Sequence, residues 1–253
     1  YKTSEMIVTR AKAAEYQIKN LNKKHSQYQI LEKYALKNRF YPKLIKFAKK
    51  MRIGFMSSPF DNESIKFLVK LKLPFIKVPS GEINNYPYLK LLGKYNKKII
   101  LSTGMSTLSE VSNAIRILVI NGTSKKNISL LHCHTDYPSS PKNLNLRSII
   151  SLKKKYNLRV GYSDHSLGIE APVAAIALGA SIIEKHITLN KKMTGPDHKA
   201  SLEPKEFKKM AIAIRNTEKM MGNGNKRPTK KELKNMVFVR KSLVARKDIR
   251  KGE

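Results

Sequence analysis

Two histidines lie just beyond two short apolar segments that we predict to be neighbouring strands. The stretch from Arg159 to Thr188 has the pattern of a strand, a polar loop, an alanine-rich helix from Ile169 to Leu178 and a second strand. His165 follows the first strand and His186 follows the second. Because parallel strands joined by a right-handed crossover end at the same edge of a sheet, both imidazoles should emerge together. Such a pair suits a divalent metal that acts as a Lewis acid on a carbonyl oxygen.

Polar side chains also follow the other predicted strands at the same edge. Hydroxyls, loop amides and a lysine suit a phosphate group. Asp197 lies past the last strand, where it could accept hydrogen bonds from substrate hydroxyls. The strand-end residues are Ser57, Ser58 and Asp61; Lys77, Ser80 and Glu82; Ser102, Thr103 and Ser106; His132, His134, Thr135, Asp136 and Tyr137; Ser163 and Asp164; Glu184 and Lys185.

Each of these residues has a structural alternative. A single histidine at a strand end is more often a packed side chain than a metal ligand, although two on adjacent strands favour ligation. The segment from Ser80 to Glu82 could be an ordinary turn, and Tyr137 could be an aromatic anchor for its loop. His132 and His134 are as compatible with packing or solvation as with a site.

The elements that must position these residues alternate between strand and helix. Because no glycine-rich phosphate fingerprint follows any strand, a barrel is favoured over a doubly wound sheet. We predict a (β/α)8 TIM barrel that lacks its first two strands in this chain. The predicted strands are Arg52–Ser57, Phe75–Val78, Lys98–Ser102, Ile128–Cys133, Arg159–Tyr162 and Ser181–Lys185. The predicted helices are Asn62–Lys72, Tyr88–Tyr95, one capped by Ser106 or Thr107 and ending near Ile120, Leu144–Lys155, Ile169–Leu178 and Pro204–Met221. Tyr1 to about Lys50 should be helical or irregular, with an amphipathic stretch from Gln27 to Lys50.

The chain of 253 residues is strongly basic, with 51 Lys and Arg against 18 Asp and Glu and a net charge of +33. The lysines are spread over almost every segment, which favours compositional drift over a nucleic-acid surface. A basic nucleic-acid-binding protein is therefore the weaker alternative.

Cys133 is the only cysteine, so no internal disulfide is possible and a cytoplasmic location is expected. The sequence has neither a membrane-length apolar run nor a signal-peptide layout, so we expect no membrane partner.

Seven motifs in this order carry a resemblance to a known family: GFMSSPFD, IKVPSGEI, LSTGMST, LLHCHTDYP, VGYSDHSLGIEA, IIEKHITL and GPDHKASLEP. From about Met51 to Glu253 the chain resembles the N-acetylneuraminate (sialic acid) synthases. The resemblance implies a TIM barrel that condenses phosphoenolpyruvate with an N-acylated mannosamine-type sugar, giving a nonulosonic acid and phosphate. The alternative within the family is a legionaminic or pseudaminic acid synthase that uses a diacetamido-trideoxy hexose.

The resemblance also implies roles for single residues. His165 and His186 match metal ligands, usually for Mn²⁺ or Mg²⁺. His134 stands where the family usually has threonine, and some members carry asparagine at the position of Thr135, so contacts to the acyl sugar should differ here. The other matches are Lys77, Ser80 and Ser163 with phosphoenolpyruvate, Tyr137 and Asp197 with the sugar, Thr135 with the substrate, and Glu82 with a carboxylate of the pocket. Lys77, Glu82 and Tyr137 are the expected catalytic residues.

Three regions are expected along the chain. Residues 1–222 should form the partial barrel, residues 223–235 a linker, and residues 236–253 the first strand or two of a truncated antifreeze-like (SAF) domain. In the resembling family the complete protein is a homodimer in which this domain reaches the partner's active site. We therefore predict that two strands precede Tyr1 in the complete protein and that this chain alone is inactive.

Overall fold

The computed structural model describes residues 1–21 and 26–253. They form two compact units, Tyr1–Glu218 and Lys219–Glu253. The described part of the first unit contains a parallel sheet of five strands in the order β1-β2-β3-β4-β5. The strands are β1 (Ile76–Val78), β2 (Ile99–Ser102), β3 (Ile128–Cys133), β4 (Arg159–Asp164) and β5 (Ile183–Lys185).

The strand order distinguishes the two fold classes that the sequence left open. Every crossover advances to the next position of the sheet, whereas a doubly wound sheet reverses direction at a switch point. The sheet is therefore a curled, TIM-barrel-like half-barrel, and the predicted α/β class is confirmed. The two strands expected before Tyr1 stay a prediction.

Several helices beside the sheet begin where the sequence carries capping signals. The side chain of Thr107 accepts a hydrogen bond from the amide of Glu110, whose carboxylate accepts from the amide of Thr107. Of the two predicted caps, Thr107 is therefore the one that forms. Pro42 lies in the first turn of its helix, where proline is tolerated. The helices of the first unit are α1 (Thr3–Met6), α2 (Glu15–Leu21), α3 (Gln27–Tyr34), α4 (Tyr41–Lys50), α5 (Asn62–Lys70), α6 (Tyr86–Gly93), α7 (Leu108–Ile120), α8 (Ser148–Tyr156), α9 (Glu170–Ala177) and α10 (Pro204–Met221), the last of which runs into the second unit. The expectation of a helical or irregular Tyr1–Lys50 agrees with α1 to α4, and its residues 22–25 lie outside the described chain.

The predicted strand Arg52–Ser57 is wrong. Only Ser57 makes a β-bridge, parallel to Ile76, and its carbonyl accepts from the amide of Lys77 at 3.3 Å. Arg52 has a positive φ of 57° directly after α4, and Ile53 is 64% exposed. The segment is apolar enough for a strand, but the turn after α4 keeps most of it away from β1.

A second difference lies in the unit Lys219–Glu253. Residues 230–239 form helix α11 (Lys230–Val239), where we expected the end of a linker and the first strand. Thr229 and Glu232 make a reciprocal capping box, which supplies partners for two amides at the start of the helix. None of the side chains of α11 is buried. The strand expected from residue 236 is therefore wrong, whereas the domain assignment itself stays a prediction.

The core lies between the sheet and helices α5 to α9. Parallel strands covered on their faces are almost continuously apolar, as in β2, where all four side chains are buried. Lys77, between the apolar residues Ile76 and Val78 of β1, is one exception, because its buried side chain reaches polar groups at the ends of β2 and β5. The main cluster includes Ile76, Val78, Leu89, Leu92, Ile99, Leu101, Leu118, Ile128, Leu130, Ile149, Val160 and Tyr162.

Gly161 allows β4 to approach its neighbours closely. A Cβ atom at this position would lie 2.6 Å from Cβ of Ile182 and 2.7 Å from Cδ2 of Leu131. Both distances are far below van der Waals contact, and the residues belong to the strands or strand ends on either side of β4. Only glycine fits this spacing.

We expect Gly161→Ala to destabilise the first unit by about 1–3 kcal/mol, because overpacking a dense core displaces backbone. Urea denaturation followed by circular dichroism measures the loss. Gly54→Ala is the matched control, since a Cβ there meets no atom within 4 Å. Equal stabilities of the two variants would show that the strands can separate without cost.

Candidate active site

A cavity of about 470 Å³ opens at the carboxyl ends of the strands. Side chains of a strand alternate between its two faces. Ser163 and His165 from the end of β4 therefore share the cavity face, as do Glu184 and His186 from the end of β5. The lining residues are Tyr16, Gln27, Phe60, Lys77, Pro79, Ser80, Gly81, Ser102, Met105, Cys133, Thr135, Tyr137, Ser163, His165, Glu184 and His186.

One corner of the cavity presents a buried ammonium group among hydroxyls. Nζ of Lys77 donates to Oγ of Ser102 at 2.8 Å and lies 3.4 Å from Oε1 of Glu184. The Lys77 side chain is only 9% exposed. Oγ of Ser163 donates to the same Glu184 oxygen at 2.6 Å. These groups join the ends of β1, β2, β4 and β5 in one polar network that can bind an anion.

Ser80 borders this corner in the 3₁₀ turn Ser80–Glu82 after β1. Its Oγ accepts from the amide of Gly104 at 2.9 Å and lies 3.2 Å from Sγ of Cys133. A Cβ on Gly104 would lie 2.6 Å from Cγ2 of Thr135 and 2.8 Å from both Oγ of Ser80 and Sγ of Cys133. The chain segments after β1, β2 and β3 thus converge closely, and glycine makes that approach possible.

His165 and His186 come together as predicted from their places along the chain. Their ring centroids are 5.3 Å apart at an interplanar angle of 71°. Nδ1 of His165 lies 2.6 Å from the carbonyl oxygen of His134, and because a carbonyl only accepts, Nδ1 carries the proton and Nε2 carries the lone pair. Burial lowers the pKa of His165, which favours the neutral ring that a metal requires.

The two imidazoles fit a divalent metal as two of its ligands. An imidazole whose Nδ1–H is held by a backbone carbonyl is a common arrangement in metal sites. No group of three or more His, Cys, Asp and Glu side chains suited to a metal occurs within residues 1–21 and 26–253. Any further ligands would therefore be other atoms, such as those of water or substrate.

Two stacked tyrosines form a wall of the cavity beside the histidine pair. The Tyr137 ring lies 4.1 Å from the His165 ring, and the Tyr16 ring of α2 stacks on Tyr137 at 5.1 Å between centroids. Burial raises the pKa of Tyr16 to about 12, and the nearby carboxylate of Asp197 adds to the rise. Burial also raises the pKa of Tyr137. Both phenols therefore stay protonated near neutral pH.

The remaining predicted residues belong neither to the lysine corner nor to the histidine pair. Oδ1 of Asp197 is buried and has no hydrogen-bond partner within the described chain. Glu82 is half-buried and does not line the cavity; its Oε2 accepts from Nδ2 of Asn85 at 2.7 Å. His132 takes the packing alternative, with Nε2 at 2.7 Å from the carbonyl oxygen of Leu144. Thr135 lines the cavity, and the functional roles of Glu82, Thr135 and Asp197 stay predictions.

Comparison with known proteins shows the family. The model of the NeuB family matches residues 1–226. The chain belongs to the NeuB family. It is 52% identical over 253 residues to an N,N'-diacetyllegionaminic acid synthase of Campylobacter jejuni, covering all of this chain and 76% of that protein. It is 39% identical over 254 residues to the enzyme of the same name from Legionella pneumophila, covering 71% of that protein.

A solved structure supports the same assignment. The crystal structure of N-acetylneuraminic acid (sialic acid) synthetase from Leptospira borgpetersenii matches with a TM-score of 0.78 at 32% identity, covering 83% of this chain and 73% of that one. The resemblance drawn from the seven motifs is confirmed. Within the described residues of this NeuB-family chain, no helix combines the length and apolar character that crossing a bilayer needs.

Sequence reasoning missed part of this NeuB-family site. Tyr16, Gln27 and Phe60 line the cavity, yet none of them was among the predicted site residues. Phe60 follows the predicted strand Arg52–Ser57, whereas Tyr16 and Gln27 follow no predicted strand. Ser102 and Glu184 were among the strand-end residues but had no assigned role. A signal for Glu184 was present, because it lies two residues before His186 and so shares its face of β5. No comparable signal connects α2 with the cavity.

We expect Tyr16 to make the free energy of unfolding fall as the pH rises above 10. Its folded pKa of about 12 lies above the ordinary 10.0, so the folded chain holds the phenol proton more tightly than the unfolded chain does. That stabilisation is complete below pH 10 and is lost as pH rises towards 12. Between pH 10 and pH 12, the urea midpoint of unfolding should therefore fall less in Tyr16→Phe than in the wild type. Tyr86→Phe, which changes an exposed ring on α6, is the control. An equal fall in Tyr16→Phe and wild type would contradict the burial of Tyr16.

Proposed function

We propose that this NeuB-family protein condenses phosphoenolpyruvate with the open-chain aldehyde of an N-acylated amino sugar. A carbon–carbon bond forms between the enol carbon and the aldehyde carbon, water is taken up, and phosphate is released with a 2-keto acid. The observation that carries the proposal is that one cavity is lined by a buried lysine with hydroxyls, by a histidine pair and by aromatic side chains. These groups suit an anionic donor, a carbonyl oxygen and a sugar, respectively.

Phosphoenolpyruvate is assigned to the lysine corner. The ammonium of Lys77 and the hydroxyl of Ser80 can donate to phosphate and carboxylate oxygens. The hydroxyl of Ser163 would donate to phosphoenolpyruvate in place of its bond to Glu184. Glu184 holds Lys77 and Ser163 in place, with its Oε1 at 3.4 Å and 2.6 Å from them. The corner is buried, so a charge-assisted hydrogen bond there is stronger than one on the surface. Held in this way, the enol carbon would be oriented towards the aldehyde.

A divalent metal, Mn²⁺ or Mg²⁺, is proposed to bind His165 and His186. When bound, it would supply Lewis-acid polarisation of the aldehyde carbonyl. The chain itself orients the His165 ring through the carbonyl of His134 and excludes water from one side of both imidazoles with Tyr137. Those contacts support the assignment because they favour a neutral His165 ring with a fixed lone pair.

The acceptor sugar is proposed to carry two acetamido groups. The most direct support is the 52% identity to an N,N'-diacetyllegionaminic acid synthase. Tyr16, Phe60 and Tyr137 give the cavity aromatic faces that can pack against acetyl methyl groups. Oδ1 of Asp197 has no partner among the described residues, but Asp197 does not line the cavity, so its bond to a sugar hydroxyl stays a prediction from the family resemblance. Glu82, Thr135, the antifreeze-like domain, the homodimer and the cytoplasmic location remain predictions from the sequence.

Phosphate release from phosphoenolpyruvate tests the function. The complete gene product is assayed with Mn²⁺ and a panel of acceptors: a diacetamido-trideoxy hexose, N-acetylmannosamine, and no sugar. We expect release to require a sugar and to be fastest with the diacetamido compound. Faster turnover of N-acetylmannosamine would support the sialic acid alternative, and release without any sugar would contradict a condensation.

Lys77→Met in the same assay should raise KM for phosphoenolpyruvate about 10- to 100-fold, because a hydrogen bond to a charged group contributes about 1.5–3 kcal/mol. KM for the sugar should change much less. Lys70→Met, at an exposed lysine on α5, is the control for loss of a positive charge. An effect confined to the sugar would show that the two substrates occupy the opposite ends of the cavity.

His165→Ala and His186→Ala should each abolish Mn²⁺ binding and metal-dependent turnover while the circular dichroism spectrum stays unchanged. Each variant removes one of only two imidazole ligands, so the remaining ring cannot hold the ion. Mn²⁺ binding is measured from the electron paramagnetic resonance signal of the free ion. His198→Ala is the matched control, since Nδ1 of His198 lies 2.7 Å from Oγ1 of Thr188 instead. Full Mn²⁺ affinity in either cavity variant would make the pair structural.

A further inference from the structure

A buried ion pair lies directly behind the two cavity histidines. Nζ of Lys185 is 2.5 Å from Oδ2 of Asp164, and both side chains are 0% exposed. The two residues end β5 and β4 and are register partners in the sheet. His165 and His186 are the next residues along the chain. Because side chains alternate, the ion pair points to the face opposite the cavity.

The ion pair belongs to a network in which both carboxylate oxygens of Asp164 accept hydrogen bonds. Oδ1 of Asp164 accepts from the hydroxyl of Tyr162 at 3.1 Å, from the amide of Ser166 at 2.9 Å and from Oγ of Ser166 at 2.7 Å. Nζ of Lys185 also donates to the carbonyl oxygen of Ser166. A fully bonded buried network is rigid, since moving one member leaves a desolvated partner without a bond.

The bonds of Lys185 enclose His165. The ammonium of Lys185 donates to the carboxylate of Asp164, the residue before His165, and to the carbonyl oxygen of Ser166, the residue after it. Lys185 itself is covalently joined to His186. One ammonium therefore connects the main chain at both histidines across the gap between β4 and β5. Neither Asp164 nor Lys185 lines the cavity.

Stability alone does not account for such a pair. Replacing a buried ion pair with apolar groups of similar volume is often neutral or stabilising, because desolvation offsets the attraction between the charges. What an ion pair provides, and apolar groups do not, is a specific direction and distance. A metal site needs such fixed directions and distances, since its ligands must be held close to one geometry.

We propose that Asp164 and Lys185 are positioning residues that set the separation and orientation of His165 and His186 for one divalent metal. The inference rests on the proposed metal role of the histidine pair. The carbonyl of His134 fixes the rotation of the His165 ring from the cavity side, whereas the ion pair fixes the main chain from behind.

The test is Mn²⁺ binding to the complete protein, measured from the resonance signal of the free ion without substrate. The double variant Asp164→Asn with Lys185→Met keeps side-chain volume and leaves no unpaired buried charge. We expect it to fold and to bind Mn²⁺ about 10- to 100-fold more weakly, the usual effect of losing an outer-shell partner. The control is Lys191→Met with Glu206→Gln, which removes a more exposed ion pair of 2.6 Å outside the cavity.

The outcomes separate the inference from the proposed function. If the wild type binds no Mn²⁺, the metal role of the histidines fails, and the positioning role fails with it. If the wild type binds Mn²⁺ and the folded double variant binds it equally well, only the positioning role is overturned. A lower melting temperature with unchanged affinity would likewise mean that the ion pair serves stability alone.

Ser166→Ala provides a second test in case the double variant does not fold. It keeps the ion pair and both main-chain bonds of Ser166 but removes the Oγ bond of 2.7 Å to Asp164. We expect a several-fold loss of Mn²⁺ affinity with an unchanged circular dichroism spectrum. Wild-type affinity in Ser166→Ala, when the double variant is unfolded, would overturn the proposal.

Discussion

The close parallel pairing of β4 and β5 is the constraint on which the rest of the site depends. Gly161 allows the strands to approach, and the register then places Ser163 beside Glu184 and Asp164 beside Lys185. Because side chains alternate along a strand, Ser163 and Glu184 line the cavity, whereas Asp164 and Lys185 lie on the opposite face of the sheet. A shift of β5 by one residue would break both pairs and turn Glu184 out of the cavity, so the cavity chemistry depends on the register.

The charges of the cavity are unlike those of the chain as a whole. The net charge of +33 is carried by lysines along nearly every segment. At the site, by contrast, Lys77 is buried and accompanied by Glu184, and Lys185 is buried and paired with Asp164. Burying an ammonium without such a partner would cost several kcal/mol. Local pairing therefore stabilises these two buried ammonium groups, which differ in this respect from the many exposed lysines of the chain.

The unit Lys219–Glu253 shows two local preferences in competition. Met236 to Val239 is rich in β-branched and aromatic residues, which favour strands. Thr229 and Glu232 cap the segment as a helix and supply partners for its first amides. A strand needs a neighbouring strand for its hydrogen bonds, whereas a helix satisfies its own backbone. In the described chain the helix is the result, because no neighbouring strand lies within this unit.

Local patterns in the sequence were enough to determine the order of β1 to β5 and of the helices between them, the cap at the start of α7 and the strand-end histidines. Such features depend on residues a few positions apart, and short-range chemistry is readable from the chain. Tertiary structure alone decided that Tyr16 closes the cavity, that Glu184 bonds Lys77 and Ser163, and that Arg52–Ser57 leaves the sheet. Those outcomes depend on contacts between residues up to 121 positions apart, as for Tyr16 and Tyr137 (137 − 16 = 121). Packing in three dimensions selects such contacts, and no periodicity along the chain encodes them.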